Sequence, residues 1–128
     1  MTLWYLDYEN VRSDTCLDGL AKYVKRSDTV IIFYSSVTPT IALRFLHKIE
    51  SKSAKVRTIP CLNGSPNAMD FQIVMELAAN CTSGKPAAHR IVSKDRGYDS
   101  PLKMWRQRGY DVALAIPSEQ DGSLTVCL

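Results

Sequence analysis

The sequence predicts a three-layer α/β/α sandwich around a mostly parallel central sheet, and two observations carry that expectation. Short apolar segments rich in β-branched and aromatic residues alternate with longer segments whose apolar residues recur at helical spacing. Helix-bearing links between successive strands then demand parallel pairing and right-handed crossovers. At 128 residues the chain is expected to be a single domain over 1–128, with its core at about residues 3–116.

The first strand is expected over residues 2–7, where Trp4, Tyr5 and Leu6 lead to Asp7 and a polar elbow of Tyr8, Glu9 and Asn10. A helix over 14–26 follows, with Cys16, Leu17, Leu20, Ala21 and Val24 on one face and Ser13 or Asp14 as its cap. Residues 29–34 are too continuously apolar for a solvent-facing strand and read as a central one. Thr38 and Pro39 suit the cap and first position of a helix over 40–51 that buries Ile41, Leu43, Phe45, Leu46 and Ile49. A short strand over 56–60 stops at Pro60, and Asn63-Gly64 and Ser65-Pro66 mark a loop. The next helix, about residues 67–80, is expected to bury Phe71, Val74, Met75, Leu77 and Ala78. Strands at 89–93 and 110–116 flank a short helix that begins at Pro101, points Leu102 and Trp105 inward and ends near Gly109. Residues 124–128 read either as an edge strand or as the beginning of a further segment.

With 45% hydrophobic and 23% charged residues, the composition excludes intrinsic disorder and fibrous repeats. No apolar run approaches the roughly 18 residues of a membrane span, and no basic region precedes a long apolar one at the start, so a cytoplasmic protein without membrane association is expected. A net charge of +3 is compatible with a polyanionic partner. Cys16, Cys61, Cys81 and Cys127 are scattered and contain no CxxC, which favours reduced, structural thiols. His47 and His89 stand apart, so neither a histidine zinc site nor a Cys-His nucleophile is indicated.

The acids carry the chemistry. Asp7 ends the first strand and Asp95 follows the fourth, which brings both to the carboxyl edge of a parallel sheet, where ligands bind as the strand order reverses. Asp70 falls at the third position of its helix if Asn67 is the cap, and Gly97 permits a bend that could turn Asp95 and Asp99 to one crevice. Clustered carboxylates repel unless a cation neutralises them, and an all-oxygen set suits Mg²⁺ or Mn²⁺ better than zinc. Each acid also has a local reading: Asp7 and Asp70 as caps, Asp95 and Asp99 as turn residues. Phosphodiester hydrolysis is a reaction served by such a constellation.

LDYEN at 6–10, VIIFYSS at 30–36, NAMDFQ at 67–72 and VSKDRGYD at 92–99 together resemble PIN-like nucleases, close to the NYN domain group. The resemblance implies a PIN-like fold, an RNA-cleaving enzyme, and Mg²⁺ or Mn²⁺ held by Asp7, Asp70, Asp95 and Asp99. It also implies support of metal, water or phosphate by Asn10, Ser36 and Ser93. Lys94 and Arg96 flank Asp95 and are candidate contacts to the substrate. The expected function is metal-dependent hydrolysis of RNA, single-stranded or locally open, by metal-activated water, with DNA the less favoured substrate. The alternative is a noncatalytic RNA-binding or protein-interaction module on the same scaffold. Tyr5, Tyr8, Tyr34, Tyr98 and Trp105 could include a base-stacking surface, and the chain could form a homodimer through a sheet edge or a helix.

Overall fold

Eleven elements follow one another along the chain, which a computed structural model describes over residues 1–36, 40–61 and 67–128. They are β1 (Thr2–Asp7), α1 (Asp14–Tyr23), β2 (Thr29–Ser35), α2 (Leu43–Ser51), β3 (Lys55–Cys61), α3 (Ala68–Cys81), β4 (Ala88–Val92), a 3-10 turn (Arg96–Tyr98), α4 (Asp99–Gln107), β5 (Val112–Pro117) and β6 (Leu124–Cys127). The sheet runs β3-β2-β1-β4-β5-β6, parallel throughout except for β6, which pairs antiparallel with β5 at its edge. Strand order reverses between β1 and β4, so their carboxyl ends flank the sheet's switch point.

Two cores cover the two faces and complete the α/β/α sandwich. Trp4 and Leu6 of β1 pack with Val30 and Ile32 of β2 against Leu17 and Leu20 of α1 and Phe45 and Ile49 of α2. Tyr5, Ile31, Phe33 and Ile91 face the other way, onto Met69, Ile73 and Leu77 of α3 and Leu102 and Trp105 of α4. The period of two in a strand enforces this division.

Several boundaries shift for identifiable reasons. α1 stops at Tyr23 rather than residue 26, because Val24 is extended and the Asp28 carboxylate accepts from the Lys25 amide at 2.9 Å, which bends the chain early. α2 starts at Leu43 rather than residue 40; just before it, the Ala42 amide donates to the Tyr8 hydroxyl at 3.2 Å. The cap at Thr38, with Pro39, and the turns Asn63-Gly64 and Ser65-Pro66 lie outside the described residues. α4 begins at Asp99, and Pro101 sits in its first turn, where a missing amide hydrogen breaks no helical bond.

The buried face of α3 is the clearest correction to the sequence reading. Met69, Ile73, Leu77 and Cys81, each four apart, line the core, whereas Phe71 and Met75 are 68% and 71% exposed. Both stripes are apolar, so periodicity alone could not choose between them. Asn67 occupies the expected cap position but is left-handed and makes no side-chain cap bond.

The turn between β5 and β6 seats on α1. A methyl group on Gly19 would come 1.9 Å from the Gly122 carbonyl oxygen, so only paired glycines allow this approach of helix and turn. Tyr23 reinforces it by accepting the Leu124 amide. Cys16, Cys81 and Cys127 are free thiols, and among the described residues no helix is long and apolar enough to cross a membrane.

Candidate functional site

Asp7 is the last residue of β1 and, by strand alternation, falls on the Tyr5 face of the sheet, under α3 and α4. It is 1% exposed. Burying a carboxylate so fully requires donors, and three converge on one of its oxygens. Asn10 Nδ2 donates to Asp7 Oδ2 at 2.8 Å, Ser93 Oγ at 2.9 Å and the Tyr98 hydroxyl at 3.3 Å. The elbow after β1 supplies the first of these, because the Asn10 and Val11 amides both turn back onto the Asp7 carbonyl. Ser93, one residue beyond β4 and itself buried, supplies the second.

Ser93 also connects Asp7 to Asp95. Its hydroxyl oxygen accepts the Asp95 amide at 3.1 Å, while Asp95 Oδ1 accepts the Gly97 amide at 2.8 Å and caps the 3-10 turn. That turn delivers Tyr98, whose ring is buried among α3 and α4 and whose hydroxyl lies 3.0 Å from Asp70 Oδ1 as well as reaching Asp7. Asp70 is the third residue of α3, in the first helical turn, where a carboxylate is favoured by the free amides. Burial lifts its carboxyl above the ordinary aspartate range; Tyr98 pulls it down, and the charges of Asp7 and Asp95, with Asp95 within hydrogen-bonding reach, push it up again. The Tyr98 phenol is likewise raised, by burial first and then by Asp7 and Asp70.

Three of the four expected acids therefore come together from residues 7, 70 and 95. Asp99 is placed differently: it opens α4, its carboxylate accepts from Arg96 Nε at 2.8 Å, and no contact among the described residues joins it to the other acids. Arg96 also donates to Cys127 Sγ at 3.2 Å, and Lys94 is ion-paired with Glu119. Ser36 is exposed just past β2, whereas its neighbour Ser35 is buried and donates to Glu9. Of the aromatic residues considered for base stacking, Tyr5, Tyr8, Tyr98 and Trp105 are core residues, and Tyr34 packs half-buried on the α1/α2 side.

Over this fold and site, the sequence pattern of the PIN domain matches residues 1–114. The chain belongs to the PIN domain family. Neither a curated protein nor a solved structure matches it. Membership supports a nuclease-like role in nucleic-acid processing and, at the level of the family, a metal-dependent mechanism. All four expected acids fall inside the matched PIN domain, whereas Glu119 and Cys127, the partners of Lys94 and Arg96, fall beyond it.

The chemistry of the donor set fits a hard divalent cation: the converging groups are oxygens, and burial, with the charges of Asp7 and Asp95, lifts Asp70. Among the described residues, however, no three His, Cys, Asp or Glu side chains stand close enough to enclose an ion. The Tyr98 hydroxyl stands between Asp7 and Asp70, and Asp95 turns one oxygen to its own 3-10 turn.

Proposed function

We propose that this PIN domain is a metal-dependent ribonuclease that hydrolyses phosphodiester bonds of single-stranded or locally open RNA. The observation that carries the reading is the convergence of Asp7, Asp70 and Asp95 on the switch point of the sheet, with like charges left to repel one another. Such an arrangement opposes folding unless it serves to attract a cation. Asp7, Asp70 and Asp95 would hold Mg²⁺ or Mn²⁺, with Asp99 contributing to a second ion or its hydration shell. Bound there, the ion supplies charge neutralisation of the phosphate and a water acidic enough to be deprotonated.

The remaining roles belong to the chain itself. Asn10 and Ser93 fix the Asp7 carboxylate by holding its Oδ2. The 3-10 turn fixes Asp95 through the Gly97 amide. Asp70, raised by burial and by its neighbours, is the acid best suited to accept a proton from an attacking water. Lys94 and Arg96 border the site and would meet the RNA backbone by exchanging their present partners, Glu119 and Asp99, for phosphate. Ser36 lies exposed at the same edge and would contact substrate there.

Cleavage of a mixed RNA panel with Mg²⁺ or Mn²⁺, compared with a DNA panel, tests the proposal. Activity is expected on RNA, with loss on chelation and in Asp7→Asn and Asp95→Asn. Undiminished cleavage in both variants would remove the site assignment, and RNA binding without turnover at any metal would favour the noncatalytic module.

A further inference from the structure

We infer that the Tyr98 hydroxyl is a positioning residue for the acidic centre, setting the approach of Asp7 to Asp70 and turning one oxygen of Asp7 toward a divalent cation. This inference rests on the metal-dependent reading above. Asp7 is delivered by β1 and Asp70 by α3, two elements far apart in sequence, so no short stretch of backbone fixes the distance between their carboxylates. Tyr98 contacts both, at 3.3 Å and 3.0 Å.

A phenol has a single proton, and both of these neighbours are acceptors. Placed between them, the hydroxyl ties both carboxylates to one point on a rigid ring. The ring cannot easily withdraw: it is 2% exposed and packed in the α3/α4 core, and the 3-10 turn capped by Asp95 fixes its backbone. All three donors to Asp7, Tyr98 included, go to Oδ2, while Oδ1 receives no hydrogen bond among the described residues. One oxygen is therefore used for orientation and the other is left for a ligand. That division of labour is how partners outside a coordination sphere orient a ligand and tune its basicity.

The test is titration of the metal-free protein with Mn²⁺, following the free ion by its magnetic resonance signal, alongside a thermal melt of each variant. Tyr98→Phe keeps the ring and is expected to fold, to weaken Mn²⁺ binding by about 10- to 100-fold, and to recover cleavage as Mn²⁺ is raised toward saturation. Tyr5→Phe serves as the comparison, because Tyr5 is an equally buried tyrosine on the same face whose hydroxyl contacts His89 and Asn80 instead of an acid. It should leave Mn²⁺ affinity unchanged. Equal Mn²⁺ affinity in wild type and Tyr98→Phe, with Asp7→Asn losing it, would overturn the inference and leave the metal centre standing. Equal weakening by Tyr5→Phe would also overturn it, by assigning the effect to general loss of core polarity. Absence of saturable Mn²⁺ binding by the wild type would overturn the metal-dependent reading itself, and this inference with it.

Discussion

Asp70 holds its proton more firmly than an ordinary aspartate because it is partly buried and stands beside Asp7 and Asp95. In the metal-free protein this has a definite sign. Between the ordinary value and the raised one, the folded chain binds more protons than the unfolded chain, so stability falls as pH rises through the raised value. Asp70→Asn keeps an acceptor for Tyr98 and removes the charge. In chelator it should raise the melting temperature at neutral pH, and the gain should shrink as the pH is lowered to where wild-type Asp70 is protonated. Melting curves of the two proteins from neutral to acidic pH provide the check; a pH-independent difference would show that the acids are not coupled. Asp7, Asp70 and Asp95 were legible in the sequence because each sits at a strand end or helix start, where direction follows from period and topology. Tyr98 was not, since a residue inside a 3-10 turn has no such period, and its polar tip is hidden in an otherwise apolar environment. Asp28 was missed as well. It accepts the Thr2 amide, the Trp4 indole and the Lys25 amide, which makes it a satisfied buried anchor at the opposite edge of the sheet. Ser36 and Ser35 differ by one position, and β2 runs one residue farther than its apolar run, so the buried hydroxyl is Ser35.

Among the elements, strands were read most securely, because β-branched and aromatic runs bounded by turns leave little choice. Helix faces were less secure: α3 carries two apolar stripes, and which one is buried depends on the sheet beneath it. The C-terminal hairpin shows a different limit. Its attachment to α1 depends on the absence of side chains at Gly19 and Gly122, which no hydrophobic pattern reports. In an unconstrained helix interior, glycine to alanine gains about 1 kcal/mol. Here the added methyl would overlap the Gly122 carbonyl, so Gly19→Ala should instead destabilise by about 1–3 kcal/mol, as overpacking does. Urea denaturation measures it, and a stabilised variant would show that the turn can lift from α1 without loss. The same displacement would carry Glu119 away from Lys94 and from Ser13, the cap of α1.

For the molecule as a whole, folding and ion binding are expected to be linked. Burial and the neighbouring charges disfavour the Asp70 carboxylate in the metal-free protein, and the proposed ion, bound only by the folded state, would offset that cost. At a free Mn²⁺ concentration about 100 times the dissociation constant, the gain should be about 2.7 kcal/mol. It should appear as a rise in melting temperature that depends on Mn²⁺ concentration and vanishes in Asp7→Asn. An identical shift in that variant would place the ion elsewhere. The sandwich itself was legible because helix-containing links allow few topologies. The convergence of the acids was legible only as a placement at one sheet edge, because distances depend on how α3 and the 3-10 turn pack.

The strand order also sets a schedule for synthesis. β1 is made before both of its neighbours, and β2 begins at Thr29, yet β4 begins only at Ala88. Throughout that interval the nascent chain carries Trp4, Tyr5 and Leu6 on a strand with one unpaired edge, the kind of surface that invites pairing with another chain. Asp7 ends that same strand and must wait for Ser93 and Tyr98 before its charge is accommodated. Until Ser93 and Tyr98 are made, Asp7 is thus a solvated carboxylate at the end of an adhesive strand, a charged gatekeeper for it.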